Sequence, residues 1–307
     1  MRTCALLVLS TASILLAPPA ARADGPAPVP GAPPAAVPVP VPPMGTFEQA
    51  KDALEKFKQE FKGNDPDAKI AALGTLSKTQ QASVVLEIAK HVTNKNADVR
   101  TMAAVFLGDQ RASPGLAGQK VIASFEPNTS DAIYLMKAVD SATSLEYRGS
   151  LAALLKLLKH KNGAVVKAAL VTLGDMKDMR AIDTLVEMLK GTKIDAGSSW
   201  EGGEVHVDTG ASGDADQKAA EAQYQDKYGA KGVGKSGGGK KFRDIGEVLL
   251  LVLKDITGQQ FTKSDQAKAW IAANKAEIDA KKKALDDVWK KQDADAAAQL
   301  DALKTAK

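Results

Sequence analysis

Residues 96–109, NADVRTMAAVFLGD, are answered 66 positions later by residues 162–175, NGAVVKAALVTLGD. Asn96, Val99, Ala103, Val105, Leu107, Gly108 and Asp109 recur as Asn162, Val165, Ala169, Val171, Leu173, Gly174 and Asp175. Leu73-Gly74 precedes Leu107-Gly108 by 34 residues, and in the unit between the two copies Val139-Asp140 takes the Leu-Gly place. The period is close to 33 residues. A unit that small cannot bury its own apolar face, so neighbours must stack, which is how a helical solenoid is built. Such a fold is read as a surface, not as a pocket.

Inside the units the apolar residues keep helical spacing. Leu151, Leu154, Leu155 and Leu158 fall at i, i+3, i+4 and i+7, as do Val166, Ala169, Leu170 and Leu173, then Ile182, Leu185, Val186 and Leu189. Each set makes one apolar stripe on a helix of about three turns. Asn96 and Asn162 stand where N-caps belong. The glycine of the Leu-Gly pair suits either a left-handed C-cap or a close approach of two helices. His91 and His160 end helices, where a cation favours the dipole.

The unit Asn-x-x-Val-x-x-x-Ala-x-x-x-Leu-Gly-Asp, followed by a second helix as in Ala181 to Leu189, resembles the short HEAT repeats of the phycocyanobilin-lyase type. The resemblance covers roughly residues 64–190. It implies an all-α fold: a right-handed α-α superhelix (a HEAT/armadillo-like solenoid) of stacked helix pairs serving protein–protein contact. Some members of that family are enzymes or lyase chaperones, and no catalytic motif of theirs is matched here.

Around the repeats the texture changes several times. Residues 1–23 read as a secretory signal: Arg2, an apolar stretch from Leu6 to Leu16, and Ala21-Arg22-Ala23 before an expected cleavage after Ala23. Cleavage would remove Cys4, the only cysteine, leaving neither disulfides nor thiol chemistry. Residues 24–44 hold nine of the 14 prolines and form a Pro-rich linker of polyproline II type. The repeat region spans 45–190. It opens with a capping box at Thr46 and Gln49 and a helix face of Phe47, Ala50, Leu54, Phe57 and Phe61, enough to close one end of the stack.

Residues 191–241 carry 12 of the 25 glycines and no proline, and read as an insertion between two helices of the array. Residues 242–274 resume the helical pattern with Ile245, Val248, Leu249 and Val252, then a Ser264-capped helix with Ala267, Trp270 and Ile271. This Leu-x-x-Ile-Thr-Gly-Gln-x-Phe…Trp ending resembles the last unit of secreted bacterial HEAT-repeat proteins, which implies that Phe261 and Trp270 seal the stack. Residues 275–307 form a charged, Ala-rich helix with a thin stripe of Ile278, Leu285, Trp289, Ala296, Leu300 and Leu303. Glu277/Lys281, Asp286/Lys290 and Asp287/Lys291 are spaced as i,i+4 pairs. The spacing leaves three fates open: packing on the solenoid, pairing with a partner helix, or free projection, the last favoured at its far end.

Two motifs invite chemistry. Residues 229–236 match G-x-x-x-x-G-K-S, but a phosphate loop needs a strand before it and a helix after it. Here a polar, helix-like segment precedes and Gly237-Gly238-Gly239 follows, so a linker reading prevails. Glu204, His206 and Asp208 would share one face of a short strand, a thin set for a metal or a general base. Charge is nearly balanced, 41 basic against 37 acidic residues, which gives no support to nucleic-acid binding.

The sequence thus describes a secreted or periplasmic, non-enzymatic interaction scaffold, with no cofactor, no metal and no membrane span after signal cleavage. Its partners are proteins, met through the helix-lined concave face and the insertion. Trp200, His206, Tyr224 and Tyr228 are the candidate contact residues, since aromatics commonly anchor interfaces. The competing readings are a metal-dependent enzyme built around 191–241 and a passive envelope spacer.

Overall fold

The computed structural model describes residues 41–191 and 245–305, and no strand occurs among them. A lone helix, α1 (Phe47–Glu60), precedes five helix pairs: α2 (Pro66–Ser77) with α3 (Ala82–Ala89), α4 (Ala97–Gly108) with α5 (Pro114–Ala123), and α6 (Ala132–Ser144) with α7 (Leu151–Leu157). The fourth pair is α8 (Gly163–Asp175) with α9 (Ile182–Gly191), the fifth α10 (Ile245–Thr257) with α11 (Ser264–Ala273). A final helix, α12, runs Lys275–Thr305. First helices stack in the order α2, α4, α6, α8, α10, and second helices form the parallel row beside them. α10 rests on α8 and α9, so the array resumes after residue 244 as though uninterrupted. The fold is an all-α solenoid.

The sequence period reappears as hydrogen bonds between successive units. Gln110 Nε2 donates to the Ser77 carbonyl (2.7 Å), Asn128 Nδ2 to Val92 (3.1 Å) and Arg180 Nη2 to Arg148 (2.6 Å), across 33, 36 and 32 residues. Each bond satisfies a buried or half-buried carbonyl at the joint, which apolar packing alone would leave unpaired. Leu73, Leu107 and Leu173 of the Leu-Gly pairs are fully buried.

The adjoining glycines lie within their helices, which selects close approach over a C-cap. A Cβ on Gly108 would stand 2.8 Å from Ser141 Cβ and 2.9 Å from its Cα, so α4 and α6 touch through backbone there. At Gly74 the neighbour is the Phe106 ring at 3.1 Å, and at Gly174 it is Val252 at an ordinary 3.4 Å. The left-handed residue that ends a first helix comes later and is mostly not glycine: Glu146 (φ 47°) after α6 and Lys177 (φ 48°) after α8, with Gly258 (φ 74°) after α10.

The asparagine caps form as the spacing predicts. Asn96 Oδ1 accepts from Val99 N–H (3.0 Å), and Asn162 Oδ1 from Ala164 (2.9 Å) and Val165 (3.4 Å). Asn162→Ala is expected to cost about 1 kcal/mol in urea unfolding, and Asn162→Asp much less, because the acceptor oxygen is kept. At α11, by contrast, Ser264 is the first helical residue and Lys263 occupies the cap position without a side-chain bond.

Both ends of the stack are closed by aromatics. At the far end Phe261 is buried and meets Trp270 edge-on at 6.0 Å, as the sequence implies. At the near end Ala50 and Phe57 are buried, but Phe47 stays 50 % exposed and takes no part in the seal. The third ring there is His91, whose centroid lies 4.3 Å from Phe61 and 5.5 Å from Phe57. His91 is therefore no dipole-bound cation: burial lowers its pKa below 6.5, Glu87 opposes, and Lys90 and Lys69 add to the lowering. A histidine with a depressed folded-state pKa stabilises fully above its unfolded value, and loses that contribution as pH falls through the folded one. Stability is accordingly expected to drop on acidification below about 6.5, and His91→Phe to flatten that part of a stability–pH profile.

His160 is likewise a structural clip. Its Nδ1 accepts from Asn162 N–H (3.0 Å), so Nε2 carries the proton and donates to the Thr129 carbonyl (2.9 Å).

Candidate interaction surface

Two features of the array face outward in an organised way. The first is the row of first helices, whose outer positions recur at helical spacing: Met102, Val105 and Asp109 on α4, Ile133, Lys137 and Ser144 on α6, Val171 and Asp175 on α8, and Leu251 and Asp255 on α10. Each is half-buried or exposed and lies beside at least one buried residue, and Leu251 is 41 % exposed. Stacking sets these stripes side by side, a band that is apolar except for Lys137 and Ser144 of α6 and is bordered by Asp109, Asp175 and Asp255 at the helix ends. Burial raises the pKa of Asp109 and of Asp255, with Arg111 opposing at the first and Lys254 and Lys177 at the second. An apolar band with an acidic margin suits a protein partner that carries apolar and basic side chains.

The second feature is α12. It docks, from α11 at its start back to α3 at its end, crossing the turns before α9 and α7 and the face of α5. Its route follows the N-terminal ends of the second helices, where acidic side chains are favoured. Asp293 accepts from Tyr147 Oη (2.6 Å) and from Gln119 Nε2 (3.0 Å). Burial, then that bond to Asp293, pushes the Tyr147 phenol up to about 12. Gln292 bridges the left-handed turn, its Oε1 accepting from Arg148 N–H (2.9 Å) and its Nε2 donating to the Glu146 carbonyl (3.1 Å).

Arg180 is the centre of the seam. Its side chain is 7 % exposed and makes a two-pronged pair with Asp178 (2.9 and 2.7 Å), a bond to Asp286 of α12 (2.9 Å) and one to the Arg148 carbonyl. Burial works against the charge, but the two carboxylates outweigh it and raise the pKa. The Trp289 ring lies 6.0 Å from the guanidinium. Backbones come together at Gly115, where a Cβ would sit 2.1 Å from the Gln292 carbonyl oxygen.

The stripe proposed for α12 is only partly right. Ile278 and Ala296 are buried and Leu285, Leu300 and Leu303 pack on the core, so its far end does not project. Trp289 stays 38 % exposed. Of the three expected i,i+4 pairs only Glu277/Lys281 forms (2.6 Å); Asp286 is held by Arg180, and Asp287 meets Lys290 instead at 3.8 Å.

Trp200, His206, Tyr224 and Tyr228 all lie outside the described residues, as do Glu204, Asp208 and the G-x-x-x-x-G-K-S stretch. Among the described residues no three His, Cys, Asp or Glu side chains converge to hold a metal, and no helix is long and apolar enough to cross a membrane. Arg180, Tyr147, Gly115 and Gln292 were not singled out by sequence reasoning. The available signal was Gly115 and Gly118 inside a helix, where each costs about 1 kcal/mol unless something must come close.

Residues 127–195, which span α6 to α9, match the family model for HEAT repeats. No curated protein and no solved structure matches the chain. With the stacked helix pairs, the match supports a HEAT-repeat solenoid, a class that generally mediates protein–protein interaction.

Proposed function

We propose that the protein is a non-enzymatic scaffold of the cell envelope, secreted or periplasmic. It binds protein partners through the outer face of its first-helix row and through the 191–241 insertion. The supporting observation is the alignment of outward stripes on four successive first helices, α4 to α10, which makes one continuous band out of residues far apart in sequence. The frame beneath is stiffened by inter-repeat bonds and by α12, and recognition on a rigid frame loses less entropy on binding.

The test is crosslinking with mass spectrometry on the full chain in its native envelope, comparing wild type with Val171→Glu and Leu251→Glu. Leu251 is exposed, so its variant should keep its melting temperature while crosslinks to partners fall several-fold; Val171 is half-buried against the core, so a matching loss there is read together with its own melting temperature. Crosslinks insensitive to both substitutions and to deletion of 192–241 would count against the scaffold reading. Export and cleavage after Ala23 are checked by the N-terminal mass of the mature chain.

A further inference from the structure

The junction between α11 and α12 is a single residue. Asn274 closes α11 (φ −110°, ψ 18°), with its backbone N–H and its side-chain Nδ2 both donating to the Trp270 carbonyl (3.0 and 2.8 Å). Helical bonding resumes with Ile278 N–H to the Asn274 carbonyl (3.0 Å). The N–H groups of Lys275, Ala276 and Glu277 fall in the gap, on three solvent-exposed residues. Turning Asn274 to helical angles would give all three an acceptor, the carbonyls of Ile271, Ala272 and Ala273. α11 and α12 would then be one helix of 42 residues, 264–305, about 63 Å long. In that form α12 points away from its own solenoid.

What α12 leaves behind is a receptor specific for α12. It comprises Arg180 for a carboxylate at position 286, Tyr147 and Gln119 for a carboxylate at 293, the 146–148 turn for an amide at 292, and Gly115 for close backbone contact. Detachment hydrates the charges and amides of the seam and uncovers Ile278, Leu285, Ala296, Leu300 and Leu303, so the freed helix is left with an apolar face to cover. A second copy carries the same helix with the same side chains in register. We propose that two copies exchange their C-terminal helices, each α12 straightening at Asn274 and docking along the α5, α7 and α9 ends of the other chain. The exchanged pair keeps the contacts of α12 with the α5, α7 and α9 ends, gives up its packing on its own α11, and adds the three backbone bonds at each hinge. The single chain keeps the advantage of a tethered ligand, so exchange is concentration-dependent.

The experiment compares the oligomeric state of full-length wild type and Asn274→Ala by size exclusion with light scattering, after incubation at high concentration. Asn274→Ala removes the side-chain bond to Trp270 and places the best helix former at the hinge, so a roughly fivefold rise in dimer is expected. To identify the dimer, a copy with Asp183→Lys is mixed with a copy with Lys282→Asp, which reverses the exposed 2.7 Å pair between α9 and α12. An exchanged heterodimer regains one opposite-charge pair in each seam, whereas either homodimer has like charges in both. Enrichment of heterodimer over the statistical half supports exchange. Purely monomeric wild type and Asn274→Ala, or a dimer that forms without regard to the charge reversal, would overturn it.

Discussion

Arg180→Ala is expected to lower the free energy of unfolding by about 3–5 kcal/mol. Asp178 is fully buried, and apart from the backbone N–H of residue 180 its carboxylate is bonded by the Arg180 side chain. Truncation leaves a buried charge without its counter-ion, and it takes the fourth bond of the guanidinium away from the Arg148 carbonyl. Asp286→Ala removes the other carboxylate on the same guanidinium, yet Asp286 is 45 % exposed, so solvent replaces the bond and the loss should stay near or under about 1 kcal/mol. Arg180→Lys should fall between, because an ammonium cannot fork across both oxygens of Asp178. Urea unfolding of the three variants decides the matter. Equal costs for Arg180→Ala and Asp286→Ala would mean that Asp178 is not the group that needs the guanidinium.

The second large effect belongs to the smallest possible substitution at Gly115. An alanine methyl would stand 2.1 Å from a backbone oxygen of α12, a clash no rotamer can relieve. α12 must shift away from α5, which strains or breaks the bonds of Gln292 and Asp293. We expect about 1–3 kcal/mol of destabilisation, together with faster proteolysis within 286–305. The control is Gly163→Ala in the first turn of α8, where nothing lies within 4 Å of the new methyl. There the same change should stabilise by about 0.4–1 kcal/mol. Opposite signs for one substitution at two helical glycines would separate close packing from helix propensity.

How far the fold could be read in advance follows from which contacts are apolar. The repeats are joined by Leu73, Leu107 and Leu173 and by helical stripes of Val and Ala, so period and spacing reveal them directly. The asparagine caps and the Phe261–Trp270 seal were legible for the same local reasons. The route of α12 was not, because its docking face is built from Gln292, Asp293, Asp286 and Lys282 as much as from Leu285 and Ala296. Its partners, too, are a backbone turn and an arginine over 100 residues away. Polar side chains that match only in three dimensions leave no periodic trace. The histidines misled in the same way: proximity to a helix end suggested a charge on the dipole, whereas His91 is packed among rings where burial lowers its pKa, and His160 clips two backbone groups of neighbouring units. The outward band on α4 to α10 was half legible, since Val105 and Val171 stand out as repeats, but which side of each helix is left uncovered depends on packing.

A stack of repeats in which each unit touches only the next behaves as a line of dominoes: terminal units can fray while the middle stands, and unfolding spreads over many partial states. α12 changes that. By lying against α11, the turns before α9 and α7, α5 and α3, it wires the last unit to the first pair and makes the loss of either end a loss for all. The expected consequence is all-or-none cooperativity unusual for a linear array, with calorimetric and van't Hoff enthalpies coinciding in the native chain. In Gly115→Ala, where the tie is loosened, the two should separate.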